Sequence, residues 1–255
     1  MAKLGQHFLT DQGALEDIVR ASGAQADSRV LEIGPGRGAL TKPLLATGAT
    51  VVAIEADAAL ACALPALFKK SDRLSVIDED FLRFDLSSLP PGPWIIAANL
   101  PYAVGTAILQ KILLWEQWST ATLMFQKEVA LRIVADTGGA DYGLLALSTK
   151  IRADAEIAFD LSPQCFRPRP KVDSSVVLFR RLESPRVPPE NEKTFWHLAK
   201  TAFSQRRKMA ASVLSKALGK SRADVEGAFA SVGVAPDARP EQIPFEAWAA
   251  LAGRL

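Results

Sequence analysis

Arg29-Val30-Leu31-Glu32-Ile33-Gly34-Pro35-Gly36-Arg37-Gly38-Ala39-Leu40-Thr41 is the stretch whose reading decides the fold. Arg29–Ile33 has the length and apolar character of one short buried strand. Glycines then break it, and residues 38–48 (GALTKPLLATG) take up a helical pattern. The alternation continues outward. Thr50–Glu55 (TVVAIE) reads as a second strand, and residues 57–70 as a helix that Pro65 kinks or divides. Residues 74–78, 94–98 and 121–126 are further short apolar runs, the last leading into the helical KEVALRIVAD at 127–136. Strands of ~5 residues between helices of ~10–15 mark βαβ units and a mostly parallel sheet. Residues 155–159 and 174–180 read as two strands joined by a Pro-rich loop, a hairpin at the sheet edge.

Near residue 183 the pattern changes. Residues 183–192 (ESPRVPPENE) are polar and Pro-rich and read as a linker. Residues 200–218 read as one helix, with Phe203, Ala210, Leu214 and Ala217 on a single stripe and Gly219 as its C-cap. Pro244 is placed to open a last short helix. The expected division is therefore residues 1–182 for the α/β domain and 183–255 for a small all-helical domain.

Composition excludes some classes. The chain has 255 residues, of which 23% are charged. No apolar stretch approaches the ~20 residues of a membrane span. The start, MAKLGQHFLT, has no long apolar region of the signal-peptide kind, so a cytoplasmic location is expected. The two cysteines, Cys62 and Cys165, are expected to be free thiols. His7 and His197 lie far apart and no Cys/His cluster has zinc spacing, so no structural metal is expected. A net charge of +2 is too small to declare a nucleic-acid partner by itself. Its distribution says more: residues 183–255 hold 11 Lys/Arg against 8 Asp/Glu. Arg167, Arg169 and Lys171 form one basic cluster, and Arg206, Arg207 and Lys208 another, each suited to phosphates.

The Gly-rich turn places Gly34 and Gly36 where backbone can approach a ligand closely, at the carboxyl edge of a parallel sheet. Glu55 ends the second strand, where a carboxylate accepts hydrogen bonds from both ribose hydroxyls. Asp80 follows the third strand, within reach of an adenine amino group. This loop leaves two cofactors open. Gly34, Gly36 and Ala39 also satisfy the dinucleotide pattern G-x-G-x-x-A.

Asn99-Leu100-Pro101-Tyr102 narrows the choice. It ends the fourth strand, beside the same crevice. The N6 amine of adenine is a poor nucleophile, because its lone pair is delocalised into the ring. Two acceptors gripping its N–H bonds favour a more tetrahedral nitrogen. The Asn99 side-chain oxygen and the Leu100 carbonyl, held by rigid Pro101, are such a pair. Tyr102 offers a ring for the base to stack on. A methyl carried on a sulfonium is already activated, so placement does much of the work and S-adenosylmethionine is the cofactor expected.

Several segments together carry a family resemblance. They are Gly5-Gln6-His7-Phe8-Leu9, EIGPGRGALT at 32–41, Glu55, Glu79-Asp80, Asn99-Leu100-Pro101-Tyr102 and Phe125-Gln126-Lys127-Glu128-Val129. Phe166-Arg167-Pro168-Arg169-Pro170-Lys171-Val172-Asp173-Ser174 and Ala202-Phe203-Ser204-Gln205-Arg206-Arg207-Lys208 complete the set. They resemble the KsgA/RsmA-type ribosomal RNA adenine dimethyltransferases over nearly the whole chain. The resemblance implies a Rossmann-like, S-adenosylmethionine-dependent methyltransferase sheet with helices on both faces, plus the helical C-terminal domain. It implies dimethylation at N6 of two adjacent adenosines near the 3′ end of 16S ribosomal RNA, in the small subunit or its precursor, by a monomer. His7 and Leu9 would cover the cofactor, Gly34 face its methionine part, Gly36 join the same cofactor site, Glu55 hold its ribose and Asp80 its adenine. Asn99 would touch both cofactor and target amine, and Phe166 would stack on the base opposite Tyr102. The two basic clusters would meet RNA. Two departures touch RNA affinity: only four residues precede Gly5, and Met209-Ala210-Ala211 stands where relatives often place a further Arg. A large-subunit RNA target, and a role in subunit assembly apart from catalysis, are the rival readings.

Overall fold

The computed structural model describes residues 7–69 and 71–255; Gly5 and Gln6 of the first motif, and Lys70 at the end of the expected second helix, lie outside the described residues. In chain order the elements are β1 (Phe8–Leu9), α1 (Gln12–Ser22), β2 (Arg29–Ile33), α2 (Thr41–Ala46), β3 (Thr50–Glu55), α3 (Ala58–Leu67), β4 (Leu74–Asp78) and β5 (Trp94–Asn99). There follow α4 (Gly105–Leu114), β6 (Trp118–Gln126), α5 (Lys127–Val134), α6 (Leu144–Arg152), β7 (Ala153–Leu161), β8 (Phe166–Arg167) and β9 (Ser174–Arg181). Four helices close the chain: α7 (Pro189–Phe203), α8 (Ala210–Leu218), α9 (Arg222–Ala230) and α10 (Phe245–Ala252). None of the described helices is long and apolar enough to cross a membrane.

Seven strands form one sheet in the order β4-β3-β2-β5-β6-β9-β7. The first five run parallel. β9 is antiparallel to β6. Ser175 bonds across to Asp160, and Arg180 to Glu156, so β9 and β7 form the antiparallel edge pair the sequence suggests. A dinucleotide-binding sheet runs 3-2-1-4-5-6 in parallel. Here an antiparallel strand separates the fifth strand from the sixth, which argues against the dinucleotide alternative.

The chain order reverses between β2 and β5. From β2 the chain moves outward to β3 and β4, then returns to lay β5 on the other side of β2. Connections leave the two strands in opposite directions and open a crevice at their carboxyl ends, the place where open α/β sheets bind ligands. Val30 and Leu31 are fully buried, as are Ile96 and Ala97 beside them. Helix α1 starts at Asp11, whose side chain accepts from Ala14 N, and buries Leu15 and Ile18. Helix α3 starts in the same way at Asp57. Pro65 does not divide α3: it sits near the end, where the helix stops at Leu67.

The chain forms two compact units. One holds the described residues up to Ala130 together with Ala155–Arg181. The other is Leu131–Asp154 with Leu182–Leu255. The sequence reading cut once, after 182; here the second unit also takes the C-terminal half of α5, all of α6 and the first two residues of β7. Its core includes Tyr142, Leu147, Phe195, Leu214, Phe229 and Trp248. A forked ion pair ties α6 to α7 within it, Arg152 to Glu192 at 2.6 and 3.0 Å.

Two C-terminal expectations are corrected. Residues 200–218 are not one helix: α7 ends at Phe203 and α8 begins at Ala210. Ser204-Gln205-Arg206-Arg207-Lys208 supplies more than one turn without an apolar side chain, so nothing there repays continued helix with burial. The expected linker is partly helix. Pro189 takes the first helical position of α7, with Glu190 and Glu192 in its first turn, where fixed φ and negative charge both favour a helix start. Gly219 closes α8, and Pro244 precedes α10, as expected.

Gly38 fixes how the turn after β2 packs on α3. It has φ +77°, and a Cβ there would lie 2.8 Å from Phe68 and 2.9 Å from Leu64. Gly23 has a similar φ of +71° but open space around it. Urea unfolding should show Gly23→Ala losing about 1 kcal/mol and Gly38→Ala about 3, since only the second adds a clash to the backbone cost.

Candidate active site

The turn after β2, the end of β3 and the segment after β5 meet in one cavity at the reversal point. Gly34 N donates to the Ile54 carbonyl at 2.9 Å, which docks the turn against β3. The Glu55 carboxylate is 5% exposed and spans the base of the turn. One oxygen accepts from Gly36 N and the other from Asp57 N, each at 2.9 Å. Both amides fix the carboxylate while leaving lone pairs for two vicinal hydroxyls. Gly34 has φ +67°, and a Cβ added there would meet nothing within 4 Å. That open space lets a ligand lie against the bare backbone. A buried carboxylate for a ribose and an open glycine beside it fit an adenosyl cofactor.

Asn99 ends β5. Its side-chain amide donates from Nδ2 to the His7 carbonyl at 3.3 Å. A carbonyl only accepts, so the bond turns Nδ2 toward His7 and leaves Oδ1 as an acceptor with no donor among the described residues. Leu100 is buried at 2% exposure and anchors the segment. No described N–H is bonded to its carbonyl. The Pro101 carbonyl accepts from Val104 N and begins the turn into α4. Tyr102 is half-buried, and its hydroxyl shares a 2.7 Å hydrogen bond with Ser174 Oγ at the start of β9. Burial raises the Tyr102 phenol, and the Ser174 bond opposes that shift. The His7 ring lies 5.7 Å from the Tyr102 ring, with 32° between planes. His7 Nδ1 is 2.8 Å from the Pro168 carbonyl and must carry its hydrogen there.

A small ribbon closes one side. β1 pairs antiparallel with β8, Phe8 opposite Arg167 and Leu9 opposite Phe166. Leu9 and Arg167 both line the cavity. Phe166, expected opposite Tyr102, is not among the residues that line the cavity. It is fully buried, in one cluster with Leu9, Met124 and Val176. Successive strand residues face opposite ways. Pairing in the ribbon sends Phe166 into the core and Arg167 toward the cavity.

The other expected residues divide. His7, Leu9, Gly34, Gly36, Glu55, Asn99, Leu100, Pro101 and Tyr102 all line the cavity. Asp80 lies at the same sheet edge, after β4, but is exposed and lies outside the lining. Its Oδ1 accepts from Leu82 N at 2.9 Å. Arg169 and Lys171 are exposed, as are Arg207 and Lys208. Arg206 is partly exposed; it donates to the Ala140 carbonyl at 2.7 Å, and its Nε lies 3.5 Å from Glu241.

Several lining residues carried no assignment from sequence, Glu32, Phe8 and Arg37 among them. The Arg37 guanidinium lies 5.0 Å from the centre of the Phe8 ring. Twenty-nine residues separate the two, so only the folded ribbon reveals the pair. Glu32 had a visible signal, a carboxylate inside the apolar run RVLEI. It is 1% exposed, and Thr41 Oγ1 donates to it at 2.6 Å. Burial pushes its carboxyl up to about 8, with the nearby Glu55 charge acting in the same direction.

Comparison with known proteins follows from this geometry. The family model described as ribosomal RNA adenine dimethylase matches residues 1–255. Curated relatives named ribosomal RNA small subunit methyltransferase A include one from Cereibacter sphaeroides, 44% identical, covering 99% of this chain and 91% of the relative. One from Ruegeria pomeroyi is 45% identical with the same coverage. Among solved structures, the 23S rRNA methyltransferase ErmE matches with TM-score 0.78 and 27% identity, covering 97% of this chain and 99% of that one. A dimethyladenosine transferase from Plasmodium falciparum shares the fold, with TM-score 0.82 and 22% identity over 96% of this chain and 95% of that one.

Glu32 makes stability depend on pH. Between about 4.5 and 8 the folded chain keeps a proton that the unfolded chain has released, so this group lowers stability as pH rises. Glu32→Gln keeps an acceptor for Thr41 and removes the titration. Urea unfolding should show the variant gaining on the parent from pH 5 to pH 8.5, by on the order of 4 kcal/mol. A gap independent of pH would mean that Glu32 does not titrate in this range.

Proposed function

The chain belongs to the ribosomal RNA adenine dimethylase family and is a methyltransferase, and on that footing we propose that it methylates N6 of two adjacent adenosines near the 3′ end of 16S ribosomal RNA, giving N6,N6-dimethyladenosine. The observation that carries the reading is the Asn99 amide. Its Nδ2 is bonded to His7, and among the described residues neither its Oδ1 nor the Leu100 carbonyl, in the same cavity as Tyr102, has a donor.

S-adenosylmethionine supplies a methyl group already activated on a sulfonium. Glu55 would hold its ribose hydroxyls, Gly34 and Gly36 would admit its methionine part, and His7 and Leu9 would cover it. Asp80 would take the adenine amino group from the edge of β4. Asn99 Oδ1 and the Leu100 carbonyl would each accept one N–H of the target amine and localise its lone pair. Tyr102, pinned by Ser174, would stack on the base and hold it in line. The released proton passes to solvent, so no strong base is required.

The small-subunit target rests on relatives 44–45% identical over nearly the whole chain. ErmE, named for a 23S substrate, is 27% identical. Arg169, Lys171, Arg207 and Lys208 are the exposed cations offered to phosphate. In this reading the helical unit contacts RNA on the small subunit or its precursor, and the enzyme works as a monomer in the cytoplasm.

The test is transfer of labelled methyl to undermethylated small subunits, followed by mapping of the modified nucleotides. Label should fall on two adjacent adenosines. Asn99→Ala should lose about 10²- to 10³-fold in rate, the usual cost of one preorganised polar contact in a reacting site. Tyr102→Phe, which keeps the ring, should lose far less than Tyr102→Ala, where stacking worth about 1–3 kcal/mol disappears. Label confined to the large subunit, or an Asn99→Ala enzyme at full rate, would contradict the proposal.

A further inference from the structure

Lys111 lies on α4, nine residues beyond Tyr102. Its ammonium donates to three backbone carbonyls of the loop after β4: Phe81 at 2.7 Å, Leu82 at 3.1 Å and Phe84 at 2.5 Å. It also sits 5.2 Å from the centre of the Phe81 ring. Three carbonyls converging on one point repel one another unless a cation lies between them, and charge-assisted bonds of this kind are the strong ones. Burial lowers the ammonium, and Asp80, Glu79 and Asp85 act against that shift, which places these three carboxylates in its field.

The loop that Lys111 holds carries Asp80. Asp80 Oδ1 accepts from Leu82 N, and its carbonyl accepts from Arg83 N and Phe84 N. Asp80 therefore organises the amide side of the turn, and Lys111 its carbonyl side. Phe81 and Phe84 are buried beneath. The same helix begins three residues after Tyr102, through the bond from Val104 N to the Pro101 carbonyl.

We propose that Lys111 is a positioning residue that sets Asp80 against the cofactor's purine, using the helix that grows from the Asn99–Tyr102 segment as its support. The proposal rests on the reading of Asp80 as the partner of the cofactor's adenine amino group. Lys111 touches neither cofactor nor target base; it acts through the loop. The consequence is selectivity: an acceptor held in place prefers an amino group over a carbonyl oxygen at the same purine position, and an acceptor on a loose loop does not.

The experiment is calorimetric binding of two probes to the full chain: S-adenosylhomocysteine, and S-inosylhomocysteine, whose purine lacks the amino group. The parent should prefer the adenosyl compound by about ten-fold or more, the worth of one hydrogen bond to a charged group. Lys111→Met keeps the stem over Phe81 and removes the donors. It should weaken adenosyl binding by about ten-fold, leave inosyl binding unchanged and so erase the preference. Lys111→Arg, which restores a cationic donor, should recover part of it. Lys111→Gln carries the same expectation if the methionine variant does not fold. A preference retained in both neutral variants overturns the proposal, as does equal weakening of both probes, the mark of a merely structural lysine. A parent without preference overturns the Asp80 reading and the proposal together, while methyl transfer to RNA by the parent would leave the proposed function standing.

Discussion

His7 offers Asn99 a carbonyl, and a carbonyl can only accept. The 3.3 Å bond from Asn99 Nδ2 therefore decides which end of the amide is left over. With the opposite orientation two lone pairs would face each other and Oδ1 would be lost to the cavity. The bond also joins the start of the β1–β8 ribbon to the end of β5. The ribbon is held elsewhere by the His7 ring on the Pro168 carbonyl and by Thr10 N on the Cys165 carbonyl. One weak contact thus depends on a closed ribbon, and the acceptor that the chemistry needs depends on that contact.

The floor of the cavity shows the same economy. Glu55 uses both oxygens to hold the turn after β2, so its charge is placed before any ligand arrives. Glu32, on the adjacent strand β2, is the opposite case. Its carboxyl is buried with one hydroxyl partner and keeps its proton at neutral pH. Burial, with the nearby Glu55 charge acting in the same direction, holds the Glu32 carboxyl toward its neutral form.

The parallel sheet, the turn after β2 and the segment Asn99-Leu100-Pro101-Tyr102 were legible because each is local. A strand of five apolar residues and a Gly-rich break announce themselves without tertiary help. The β1–β8 ribbon was not, since two-residue strands carry no alternation to read. Missing it misplaced Phe166: flanking prolines argue for a surface loop, but pairing with Leu9 turns the ring inward. The carbonyl bond of Arg206 was hidden for a related reason. Its neighbours Arg207 and Lys208 are exposed, yet its own guanidinium is committed to the Ala140 carbonyl, 66 residues away in sequence. The break between α7 and α8 could have been seen, because Ser204-Gln205-Arg206-Arg207-Lys208 interrupts the apolar stripe.

The proposed chemistry turns on adenine N6 being gripped by Asn99 Oδ1 and the Leu100 carbonyl. A crystal structure of the chain with S-adenosylhomocysteine and a short adenosine-containing RNA tests it most directly. N6 is expected at about 3 Å from both oxygens, with the base against Tyr102 and Asn99 Nδ2 still on the His7 carbonyl. A base bound with N6 turned away from Asn99, or an amide released from His7 and donating to the base, would contradict it.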